Sequence, residues 1–87
     1  MNAKEMFEKL GYKQELRKVN PKSYTKDDWI IYHKGIHGQA FVFSLNNLTL
    51  WTNNYENIDS DSGEIYGITP QEIQAITQQM KELGWIE

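Results

Sequence analysis

The sequence predicts an α+β fold in the order α-β-β-β-β-α, a four-stranded antiparallel meander packed with an N-terminal and a C-terminal helix. Three observations predict it. Close to its start the chain reads MFEKLGYKQ and it closes on QMKELGWIE, two phrases that share an apolar residue, two opposite charges, Leu-Gly and an aromatic. Between them the apolar spacing changes from helical to extended in the runs YKQELRKVN, DWIIYHK, QAFVFSL and LTLWTN. Turn signals separate these runs: Pro21, the Gly35 to Gly38 segment GIHG, and Asn46-Asn47. With 87 residues the chain is expected to be one domain, 1–87.

The first helix has Asn2 as N-cap and Glu5 at N3, with Met1 and Met6 placed to staple its start. Ala3, Met6, Phe7 and Leu10 share a face. Gly11 stands where a helix ends in a left-handed residue, and Tyr12 can fold back on Phe7. The second helix repeats these signals at greater length. Thr69 caps, Pro70 fills N1, Glu72 completes a capping box, and Ile68 and Ile73 form the staple. Ile73, Ile76, Met80 and Leu83 recur as a core stripe, opposite Gln71, Gln74, Gln78 and Lys81. Gly84 then closes a Schellman ending with Trp85 over Met80. The two ends of the chain resemble one another because helices start and stop alike, without any duplication.

The four strands must share two faces. Phe41, Phe43 and Leu45 point to one side, joined by Leu48 and Leu50 of the next strand, and form the inner face. Val42, Trp51, and either Trp29 with Ile31 or Ile30 with Tyr32 are then left on the outer face, which is too apolar for water. Either the polar stretch from Asn53 to Gly67 or a helix covers that face, or it binds a protein or a second copy of the chain.

Composition excludes several classes. Without cysteine there is no disulfide, thiolate metal ligand or cysteine nucleophile. No apolar run reaches the ~18 residues of a membrane span, and no apolar signal segment opens the chain, so a cytoplasmic protein is expected. The net charge of -3 is uneven: residues 1–34 hold eight of the nine Lys and Arg, whereas residues 35–87 keep only Lys81 against seven acids. His33 and His37 lie four apart in a glycine-bounded turn, not on a helix, which argues against a metal site. The run DSDSGE at 59–64 lacks the glycine and terminal glutamate of a calcium loop. The carboxylate pairs Asp27-Asp28 and Asp59/Asp61 sit in polar turns that give them no reason for perturbed pKa values. No phosphate loop, catalytic triad or cofactor signature is present, so the expectation is a non-enzymatic protein with no cofactor, no metal and no small-molecule substrate.

Binding is what remains. Trp29, Ile31, Val42 and Trp51 are the candidate partner-binding residues, for a host or phage protein or for self-association as a homodimer. The alternative is nucleic-acid binding by the basic stretch Lys13, Arg17, Lys18 and Lys22, interleaved with Tyr12 and Tyr24; the acidic balance of the whole chain weighs against it. The opening NAKEMFEKLGY and the closing ITPQEIQAITQQMKELGW resemble small uncharacterised proteins of phages and prophages of Firmicutes, over about a third of the chain. The resemblance brings no activity or site residues. It implies an accessory protein made in the host cytoplasm that acts by protein-protein binding, as a modulator or inhibitor of a host system.

Overall fold

The computed structural model describes residues 1–18, 27–58 and 66–87. In order they form α1 (Ala3–Lys9), β1 (Lys13–Arg17), β2 (Trp29–His33), β3 (Gln39–Ser44), β4 (Thr49–Asn54), a short 3-10 turn (Tyr55–Asn57) and α2 (Pro70–Glu82). The strands make one antiparallel sheet in sequence order. This is the α-β-β-β-β-α meander that the sequence predicts. Among the described residues no helix is long and apolar enough to cross a membrane.

Both helix ends form as their residues dictate. Asn2 and Thr69 each accept from the N3 backbone while Glu5 and Glu72 reach back to the cap, so both capping boxes are complete. At the other ends Gly11 and Gly84 take positive φ values of 92° and 75°, where a side chain would be strained. The Tyr12 N–H then donates to Phe7 O at 3.0 Å and the Trp85 N–H to Met80 O at 2.9 Å, the six-to-one bond of a Schellman ending in each case. This places Tyr12 edge-on to Phe7, with ring centroids 5.6 Å apart. The two helices are also joined directly, the Ala3 N–H donating to Glu82 Oε2 at 2.7 Å.

The core lies between the helices and the inner face. Phe7 stacks on Tyr32 at 3.9 Å, and Tyr12, Phe41, Phe43, Ala75 and Ile76 complete a shielded cluster. Two hydroxyls enter this apolar space and each needs a partner. Tyr12 donates to Glu72, and Tyr32 donates to Gln79 while accepting from Gln14 Nε2. Burial, then the hydrogen bond to Glu72 and its charge, push the Tyr12 phenol far above its ordinary pKa. For Glu72 burial acts upward, but bonds from the Thr69 backbone and Tyr12 outweigh it and hold the carboxyl below the usual range.

Five expectations are corrected here. The buried face of α2 is Glu72, Ala75, Ile76 and Gln79, while Ile73 is 53% exposed; the two tyrosine hydroxyls recruit polar acceptors that a hydropathy stripe places outside. Ile68, its staple partner, is exposed as well, and so is Met1, the expected partner of Met6. Leu48 lies in the β3–β4 turn with a φ of 54° and points into solvent, so Leu50 alone of that pair packs on the inner cluster. Asp27 is far from an ordinary turn carboxylate. It is buried and accepts from Ser44 Oγ, Trp29 Nε1, the Asn46 N–H and Asn47 Nδ2, tying the β3–β4 turn to the start of β2. Burial raises its pKa, but these four donors together bring it below the ordinary value.

Candidate functional site

The register settles which residues share the outer face. Glu15 pairs with Ile31, Ile31 with Val42, and Val42 with Trp51, while Arg17 pairs with Trp29 and Trp29 with Ser44. Paired residues project to the same side of a sheet. Trp29, Ile31, Val42 and Trp51 therefore do form one surface, and Ile30 and Tyr32 face the helices.

That surface has a closed end and an open end. At the closed end Ile58 packs with Ile31, Ala40 and Val42, all buried, and Tyr55 packs against the same cluster. Tyr55 reaches across the sheet from beyond β4 to β1, where its hydroxyl donates to Glu15. Its ring lies 4.3 Å from that of His33. His33 Nδ1 accepts from the Gly35 N–H, which turns Nε2 toward Glu15 Oε1 at 3.8 Å. Arg17 Nε donates to Glu15 Oε2 at 3.0 Å, and its Nη2 stands 3.4 Å from the Tyr55 hydroxyl. Burial raises the Glu15 carboxyl, but bonds from Tyr55 and Arg17 and the Arg17 charge outweigh it, and its pKa is lowered. The Tyr55 phenol is raised, first by its bond to Glu15 and then by burial.

At the open end Trp29 and Trp51 meet edge to face, centroids 5.1 Å apart, and both stay half-buried. The Arg17 guanidinium sits 5.8 Å from the Trp29 ring. Beside them a cleft of about 200 Å³ is lined by Leu16, Arg17, Lys18, Asp28, Trp29, Ile30 and Leu45. Small-molecule sites run to roughly 300–1,000 Å³, so this cleft suits a single side chain.

Of the sequence-derived candidates, Ile31 and Val42 are a buried floor and only Trp29 and Trp51 offer surface. Part of the stretch from Asn53 to Gly67 does cover the outer face, through Tyr55 and Ile58; residues 59–65, with the DSDSGE run, lie outside the described residues. Within the basic stretch, Lys13 and Lys18 are exposed and Arg17 is engaged with Glu15. Tyr12 is buried under the Lys34 ammonium, 4.8 Å from its ring, and so is withdrawn from base stacking. Lys22, Tyr24 and Lys26 lie outside the described residues. Among the described residues no group of three or more His, Asp or Glu could hold a metal ion; His37 instead pairs with Glu56 at 3.4 Å.

Sequence reasoning weighed His33 only as a metal ligand and missed the network that joins it to Glu15 and Tyr55. Glu15 and Arg17 alternate in KQELR and so share a strand face, and Tyr55 and Ile58 are conspicuously apolar within a polar stretch. Both were readable signals. Comparison with protein-family models, curated proteins and solved structures finds no match for this chain.

Proposed function

We propose that the protein works without catalysis, by binding another protein through the open end of its outer sheet face. The observation that carries this reading is the partly exposed Trp29–Trp51 pair, flanked by Arg17 and standing on the buried floor of Ile31 and Val42. Trp and Arg held in place by such a floor lose little freedom on binding, and these residue types dominate interface energetics. The adjoining cleft accepts one apolar side chain of the partner. From the resemblance of the chain ends to small phage and prophage proteins, the proposed setting is the host cytoplasm and the proposed partner a host or phage protein whose action is modulated. Nucleic-acid binding is less well supported, since Arg17 is charge-compensated by Glu15 and Tyr12 is buried.

The test is affinity capture from host lysate with the parent protein, Trp51→Ala and Trp29→Ala, each with and without nuclease. A protein retained by the parent after nuclease treatment and lost from both folded variants supports the reading. Equal capture by the variants, or capture abolished by nuclease, overturns it.

A further inference from the structure

The strand β1 lies at one edge of the sheet, and the pairing pattern shows which of its backbone groups face outward. The Lys34 N–H donates to Gln39 O and the Leu45 N–H to Asp28 O, so the even-numbered residues of β2 bond to β3 and the odd-numbered ones face β1. Lys13, Glu15 and Arg17, which oppose His33, Ile31 and Trp29, therefore direct their backbone groups to β2. Gln14 and Leu16 direct theirs away from the sheet. The Leu16 side chain is 63% exposed at that same edge.

We propose that β1 pairs antiparallel with the β1 of a second copy of this chain, about a two-fold axis through Leu16. An exposed edge is a template for strand addition, and charges along it normally discourage pairing. Here the order Lys13, Glu15, Arg17 discriminates among registers instead. A two-fold centred on Glu15 sets Glu15 against Glu15 and Lys13 against Arg17. One centred on Arg17 opposes two guanidinium groups. One centred on Gln14 brings Leu16 opposite Tyr12, which is already buried in the core. Centred on Leu16, the pairing sets each Glu15 opposite the Arg17 of the other copy, at a non-hydrogen-bonded position where side chains approach to about 4.5–5.5 Å. It also lays the two exposed Leu16 side chains against each other and matches the outward backbone groups of Leu16 with Leu16 and of Gln14 with Lys18. Charge, apolar contact and hydrogen-bond direction agree only in this register. The result is a continuous eight-stranded sheet. An edge this short buries less than the about 1,200 Å² of a stable interface, so the dimer is weak and forms at high protein concentration. The inference concerns the strand edge and does not depend on the function proposed above.

Sedimentation velocity of the full chain from low-micromolar to near-millimolar concentration, with single-cysteine crosslinking, tests it. The parent's sedimentation coefficient is expected to rise toward that of a dimer. Leu16→Lys, which opposes two ammonium groups at the axis and alters an exposed position, is expected to stay monomeric throughout with an unchanged melt. The chain has no cysteine of its own. Leu16→Cys is therefore expected to yield a covalent dimer on mild copper-phenanthroline oxidation, because hydrogen-bonded antiparallel Cα atoms about 5.5 Å apart fall within disulfide reach. Leu48→Cys, equally exposed in the far turn, is the control and should remain monomeric. A parent coefficient that does not change with concentration, association that persists in Leu16→Lys, or equal crosslinking of the two cysteine variants overturns the proposal.

Discussion

The two faces of the sheet are built from alternate residues of the same strands, yet they are closed in different ways. The inner face is shut by two helices whose ends are capped and whose buried side carries acceptors for the Tyr12 and Tyr32 hydroxyls. The outer face is shut at one end only, by Tyr55 and Ile58, and the grip of Tyr55 is one network of Glu15, Arg17 and His33. Each face spends its aromatics accordingly. On the inner side the rings stack out of reach of water, whereas on the outer side two indoles are left half open beside a guanidinium. The inner face and the closed end of the outer face hold the buried clusters of the monomer, and the open end of the outer face is where contacts are proposed.

The largest effects should come where both faces are dry. Val42→Lys buries an unpaired charge under Ile58 and should leave the chain unfolded by circular dichroism at neutral pH. Phe7→Ala removes the ring stacked on Tyr32 and should cost about 3–5 kcal/mol in urea unfolding. Trp51→Ala, on the open side, should cost about 2 kcal/mol or less, since only part of the indole is buried. If Trp51→Ala proves as damaging as Phe7→Ala, the division between a sealed and an open face is wrong.

Next in size are the polar groups that close the inner face. Glu72→Gln keeps the shape but weakens both the cap and the bond from Tyr12, and should cost about 1–3 kcal/mol at pH 7. The same variant gives the comparison a pH axis. Glu72, Asp27 and Glu15 all have carboxyls depressed in the folded protein. Their contribution is complete above the unfolded carboxylate range near pH 4 and disappears as pH falls through the lower folded values. Urea midpoints of the parent should thus hold from neutrality to about pH 5 and decline below it. The gap between parent and Glu72→Gln should narrow on acidification. A constant gap down to pH 2 would show that the Glu72 charge is not what the Tyr12 hydroxyl and the cap rely on.

Smaller again are the helix ends. Gly84→Val forces a β-branched residue into a positive φ and should cost about 1 kcal/mol or more, and Thr69→Ala about 1 kcal/mol through its lost cap. Denaturant midpoints equal to the parent's in both variants would remove the caps from the account of how the helices are held.

What the sequence made legible follows the range of the physics involved. Caps and Schellman endings act within five residues, so Asn2, Gly11, Thr69 and Gly84 could be assigned without any knowledge of the rest. The strands β2 to β4 were legible because the turns between them are short and their runs β-branched and aromatic, whereas β1, KQELR, carries neither residue type. The assignment of Trp29 and Ile31 rather than Ile30 and Tyr32 to the outer face waited on cross-strand register, which no single strand encodes. Tyr55 reaching Glu15 across forty residues, and Asp27 collecting donors from Ser44, Asn46 and Asn47, are tertiary encounters between polar groups. Hydropathy patterns place such groups in water by default, and so these polar networks stayed hidden in the sequence.

The smallest predicted effect tests that default directly. By hydropathy Ile73 leads the core stripe of α2 and Glu72 and Gln79 belong outside it. Successive helical residues are separated by about 100°, so a helix that turns Glu72 toward Tyr12 must carry Ile73 toward the flank. Gln79 and Ala75 then fill the inward side, close to the direction of Glu72, and Ile73 is left 53% exposed. Ile73→Lys should therefore shift the urea-unfolding free energy by less than about 0.5 kcal/mol, as exposed substitutions do. Ile73 is the fourth residue of α2 and its side chain takes no part in the capping box, so no cap is altered. A cost of about 2 kcal/mol or more would mean that α2 is rotated to bury Ile73. The Tyr12 and Tyr32 hydroxyls would then lose their acceptors, leaving two buried polar groups unpaired on the inner face.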